Sequence, residues 1–83
     1  MWWVTVTNQS YYETIRDDAA EGETNWTITR RASRGDKVLL YCTAPISAIV
    51  AQAEIASTPV RDEDPKSMWY GSWFSDMTGL SYG

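Results

Sequence analysis

Histidine is absent from this 83-residue chain and cysteine occurs once. Without histidine the commonest general base and the commonest nitrogen ligand for a metal are missing. A lone thiol, Cys42, can build neither an intramolecular disulfide nor a thiolate zinc site. It sits in an apolar strand and reads as a reduced, buried structural thiol. No glycine-rich phosphate loop of the strand-to-helix type is present. The acidic run Asp62, Glu63, Asp64 could in principle hold a hard cation, but consecutive acids in a polar loop read as a solvated loop. No apolar stretch approaches the roughly 18 residues that a membrane-spanning helix needs, and the N-terminus lacks the basic and apolar regions of a secretory signal. The expectation is a cytoplasmic protein that is not an enzyme, carries no metal or cofactor and makes no membrane contact.

What the chain does have is aromatic surface: 13% of its residues, with five tryptophans, is high for this length. One domain, residues 1–83, is all that the length allows, with room for a modest core and one site. The formal net charge of -4 argues against sequence-blind duplex binding, which draws its affinity from many phosphate contacts. The charge is uneven, however. Arg30, Arg31, Arg34 and Lys37 lie close together, while acids gather between Asp17 and Glu23 and again at Asp62 to Asp64, so a local basic patch can exist on an acidic body. Three short matches carry little weight. Asn25-Trp26-Thr27 has a glycosylation pattern that matters only in a secreted chain, Arg34-Gly35-Asp36 reads as a turn before a strand, and Arg30-Arg31-Ala32-Ser33 belongs to the basic patch.

The β-branched and aromatic run Trp2 to Thr7 predicts an opening strand. Ser10 followed by Glu13 has the spacing of a capping box and predicts a short helix from about Tyr11 to Ala19 or Ala20. Lys37 to Thr43 and Ser47 to Ser57 predict two strands of an antiparallel hairpin, connected at Pro45. Alternation in the second puts Ile49, Ala51, Ala53 and Ile55 on the better core face, and its small alanines suit a tightly curved sheet or barrel. Thr58 to Lys66 reads as a polar loop, and Ser67 to Leu80 as one or two short strands with Gly71 a bend or bulge.

The order of these segments resembles the EVE domain family of the PUA-like superfamily, which is similar to the YTH readers of methylated adenine. WWVTVTN looks like that family's first strand, Trp26-Thr27 like a wall of its aromatic cage, and RGDKVLLY with SAIVAQAEI like its central strand pair. MWYGSWF, Met68 to Phe74, looks like the second cage-bearing segment. The resemblance implies an α+β, mainly β fold: a small twisted β barrel with one or two short helices. It implies a modified-base pocket at Trp26 and Trp69, with Thr7, Asn8 and Thr27 reading the base edge and Trp73 a further cage candidate. Val6 stands where many relatives carry lysine, so an ionic contact from that position is absent. The family usually continues beyond the equivalent of Leu80, which leaves a minimal barrel, a barrel completed by a partner chain, or a fragment as alternatives.

The residues themselves support a mechanism for such a pocket. A methylated base between indole faces gains about 1 to 3 kcal/mol per aromatic contact. Extruding it costs a few kcal/mol, and Arg30, Arg31 and Arg34 are the candidates to hold the flanking phosphates. The expected function is a non-catalytic nucleic-acid-binding module that reads a modified base in DNA or RNA. A homodimer is expected where an incomplete barrel leaves a sheet edge open. The alternative is a small acidic interaction protein of phage or anti-restriction type, which presents its carboxylates as a nucleic-acid mimic and does not recognise a base. A metal-dependent hydrolase using aspartate and glutamate is the weakest reading.

Overall fold

A computed structural model describes residues 1–63 and 69–80. In chain order it contains β1 (Trp2–Thr7), a 3-10 turn (Gln9–Tyr11), α1 (Tyr12–Glu21), β2 (Thr24–Thr27), β3 (Lys37–Cys42), β4 (Ala48–Ile55), β5 (Val60–Arg61) and β6 (Tyr70–Gly79). The fold is α+β and mostly strand, as the residue pattern predicts. The sheet runs β1-β3-β4-β6-β2, with β5 also paired to β6. β1 and β3 are parallel, and the other pairings are antiparallel. The sheet curls until its two edge strands approach each other. There Thr5 Oγ1 donates to the Thr27 carbonyl at 2.7 Å and Trp26 Nε1 to the Val6 carbonyl at 3.2 Å. Side chains thus bridge the seam of a small, partly open, twisted β barrel.

Inside the curl lie Ile15 of α1, Val38, Leu40 and Cys42 of β3, Ile55 of β4 and Phe74 of β6, all buried. Each such large apolar side chain contributes roughly 1.5 to 3 kcal/mol on burial, which is why an 83-residue chain can hold one core and little more. Burial also pushes the Cys42 thiol pKa up, in keeping with a structural thiol.

Local geometry departs from expectation in three places. The helical segment is opened by Asn8, not Ser10: the side-chain Oδ1 of Asn8 accepts from the Ser10 N–H at 2.9 Å, so the turn begins before Ser10 can act as a cap. The helix then continues to Glu21 and stops at Gly22, whose φ of 89° lets its N–H and that of Glu23 reach the Asp18 carbonyl. In β4, the register passes from Leu40–Ala51 to Tyr41–Ile49, leaving Val50 as an extra residue that turns into the core in place of Ile49. In β6, Gly71 pairs regularly, and the irregularity falls instead near Asp76, whose φ is 48°.

The Arg34-Gly35-Asp36 turn is an internal brace. Gly35, at φ 91°, sends its N–H to the Ile55 carbonyl at 2.9 Å, and the Ile55 N–H returns to the Asp36 carbonyl at 2.8 Å. The Asp36 carboxylate accepts from Trp3 Nε1 at 2.7 Å and the Ser33 N–H at 3.0 Å, and faces the Met1 ammonium at 3.4 Å. The Trp3 hydrogen bond, then that from Ser33, holds this carboxyl below the usual carboxylate range. The predicted loop 58–66 and strand segment 67–80 fall partly on residues 64–68, so Asp64 and the start of that segment lie outside the described residues. Among the described residues no helix is long and apolar enough to cross a membrane.

Candidate functional site

β6 receives β2 along one edge and β5 along the other, and both pairings converge on Gly71, which is opposite Thr27 and Val60. Alternation along β6 puts Ser72 and Phe74 in the interior and Trp73 outside. The Asp62 N–H donates to the Trp69 carbonyl at 2.9 Å, which carries the β5–β6 pairing one residue past the strand end. Trp69, Gly71 and Trp73 therefore share one face, and the two tryptophans are 67% and 52% exposed. In extended chain their Cα atoms stand about 13 Å apart. Between them the glycine leaves a gap, and a Cβ there would lie 3.5 Å from Asn25 Oδ1 and from the Trp26 carbonyl oxygen.

The result is a cleft of about 610 Å³, with Gly71 as its floor, Trp69 and Trp73 at its ends, Asn25 and Thr27 along one side and Val60 along the other. Ser57 fixes the Trp73 end. Its hydroxyl accepts from the Trp73 N–H at 2.9 Å, and its carbonyl accepts from the buried Ser72 hydroxyl. Asp62 and Glu63 add two carboxylates to the lining, with Arg61 the cation beside them. A second cleft, of about 560 Å³, adjoins the first at Thr27, Arg61, Trp69 and Tyr70 and reaches the barrel seam at Thr5. Its cations are Arg30 and Arg61.

The predicted site residues are distributed unevenly over this geometry. Trp69, Trp73 and Thr27 meet in the first cleft. Trp26 borders it, but its indole is committed elsewhere: it pairs with the interior position Ser72, donates to Val6, and meets the Tyr11 ring edge-on at 5.3 Å. Thr7 is buried, and its Oγ1 has no hydrogen-bond partner among the described residues. Asn8 is the cap of the 3-10 turn. Neither is among the described residues that line the two clefts. Of the three arginines proposed for phosphate, Arg30 lines the second cleft, while Arg31 and Arg34 stand exposed in the β2–β3 connection. Asn25 and Gly71 also line the cleft, and neither is among the site residues expected from the sequence. The signal for both was available, because Trp69-Tyr70-Gly71-Ser72-Trp73 puts two indoles and a missing side chain at alternate positions of one strand.

Among the described residues no group of three or more histidine, cysteine, aspartate or glutamate side chains is placed to hold a metal ion. No family model matches this chain, and no curated protein does. It is similar in structure to Rpa0253 from Rhodopseudomonas palustris, a structural genomics target solved by NMR, with a TM-score of 0.65 and 21% sequence identity. The match covers 95% of this chain and 62% of that protein, and at 21% identity the likeness is one of fold.

Proposed function

We propose that this protein is a non-catalytic module that receives an extruded, modified nucleobase, as the resemblance to EVE domains suggests, and that the base enters between Trp69 and Trp73, over Gly71, in place of the Trp26–Trp69 pocket that the resemblance implies. One observation carries the reading: two indoles held on the solvent face of a single strand, separated by a residue with no side chain. Both indoles present much of their surface to water, and a flat π ligand is the chemistry that stacks on such surface. Asn25 and Thr27 supply an amide and a hydroxyl at the cleft wall, suited to the edge of a base. A chain whose base enters here can lay its phosphates toward Arg30 at the adjoining cleft.

Stacking on an indole changes its emission directly, so titration with methylated and unmodified nucleosides tests the reading through intrinsic fluorescence. Quenching by a methylated base at lower concentration than by its unmodified form is the expected result. Unchanged emission with every nucleoside up to about 1 mM, where binding would be worth only about -4 kcal/mol, removes the support for base recognition.

A further inference from the structure

Not all of the exposed apolar surface belongs to the clefts. Trp69, Trp73 and Val60 line the first, but Trp2, Val4 and Val6, each more than half exposed, are not among the described residues that line either one. They form the outward alternate of β1, while Trp3, Thr5 and Thr7 turn inward. Register carries that outward face across the sheet. Val4 lies beside Leu39 of β3, and Val6 beside Tyr41, which in turn lies beside Ile49 of β4. At the other end Trp2 lies beside Lys37, whose Nζ meets Glu54 Oε1 at 3.2 Å.

We infer that this outer face of β1, β3 and β4 is where two copies of the chain pair as a symmetric dimer. Area supports a second copy as the occupant. With its polar flanks the face leaves on the order of 600 to 700 Å² accessible per copy, so two copies would bury up to about 1,300 Å², at the lower end of the roughly 1,200 to 2,000 Å² of specific interfaces. Charge supports it too. Lys37 is matched by Glu54, so the face offers neither a phosphate backbone nor an anionic membrane the unpaired cations that each requires. Glu13, Asp17 and Glu21, which contribute to the net charge of -4, sit instead on α1, packed against β4 and β6. Two acidic bodies can therefore meet here without setting carboxylate against carboxylate. A two-fold axis near Val4 and Leu39 lays the Trp2 end of one copy on the Val6 end of the other. The bulky indole then meets smaller side chains, and each Lys37–Glu54 pair stays at the rim. The dimer uses this face and not the sheet edge between β1 and β2, which the Thr5 and Trp26 side chains already bridge.

Sedimentation equilibrium of the full chain between about 1 and 200 μM reads the association. The weight-average mass should rise with concentration from 9.4 kDa toward twice that value. Val4→Glu sets a carboxylate beside its own symmetry mate and should hold the mass at that of one chain throughout. Trp2→Ala removes the largest side chain of the face and should raise the midpoint concentration about tenfold or more. Trp73→Ala, in the first cleft, should leave the midpoint within about twofold of the parent. All three positions are exposed, and a melting scan shows that each variant is folded before its mass is read; if Val4→Glu is not, Trp2→Ala decides. A parent chain that stays monomeric up to about 200 μM overturns the inference. So does a dimer that keeps the parent's midpoint in both face variants, or one that Trp73→Ala dissolves, since the contact would then lie elsewhere. The inference does not depend on base recognition, because nucleosides are absent from the measurement.

Discussion

Replacing Gly71 by alanine should make the protein more stable and a worse binder, an opposition of signs that a merely structural glycine would not produce. Gly71 lies in β6 between two paired strands, and its φ is not in the left-handed region that only glycine tolerates well. The added Cβ meets Asn25 Oδ1 and the Trp26 carbonyl at 3.5 Å, ordinary van der Waals contact, so the ladder need not move. A glycine inside a strand costs roughly 0.5 to 1 kcal/mol relative to alanine through the entropy of the unfolded chain. For a domain of this size that predicts a melting temperature higher by about 2 to 8 °C. The same methyl group stands on the floor between Trp69 and Trp73. Forcing a ligand off such a floor costs about 1 to 3 kcal/mol, by analogy with overpacking in cores, which is a loss of about 5- to 150-fold in affinity. A thermal scan and a calorimetric titration on the same preparation give both numbers. Unchanged affinity with raised stability would show that the base does not rest on Gly71, and a fall in melting temperature would refute the strand geometry assigned to it.

Trp69→Ala should leave the melting temperature nearly unchanged, because the side chain is 67% exposed, yet weaken the modified nucleotide by 1 to 3 kcal/mol, about 5- to 150-fold by titration. Trp26→Ala should instead lower the melting temperature, since it removes the seam bond to Val6 and the Tyr11 contact; a variant that melts like the parent would contradict this. Arg30→Ala should reduce the slope of log affinity against log salt for a single-stranded oligonucleotide by about 1, and Arg34→Ala should not change it. Because the Asp36 carboxyl is held below its unfolded value, its stabilisation is present above about pH 4 and is lost as pH falls through the lowered value. Melting temperatures measured between pH 7 and pH 2 should therefore drop more steeply for the parent than for Asp36→Asn, and parallel curves would refute the brace.

The hairpin of β3 and β4 was legible because alternation of small and branched apolar residues survives in both strands, and so was the curled sheet that its alanines permit. The parity of β4 was not, since one extra residue at Val50 exchanges the faces on its N-terminal side, and a bulge leaves no mark in composition. Ser10 and Glu13 have the right spacing for a capping box, but Asn8 is two residues nearer to the strand end and takes the first N–H. For the candidate site, Trp69, Trp73 and Thr27 come from the resemblance of MWYGSWF and Trp26-Thr27 to cage-bearing segments, and all three line the first cleft. The placement of Thr7 and of the Trp26 indole depends on how far the sheet curls, a property of the whole barrel that no local segment encodes.

The seam between β1 and β2 gives the barrel uneven breathing. A barrel closed by a full ladder opens only when a row of backbone bonds breaks together, whereas here the bridging bonds described come from the side chains of Thr5 and Trp26. At roughly 1 kcal/mol each, such bonds part far more often than the whole domain unfolds. Deuterium should therefore enter the amides facing the seam through local excursions, while those between β3 and β4 wait for global unfolding. A ligand lodged at the second cleft would act as a latch on that seam, slowing exchange along both edges, including at residues it does not touch.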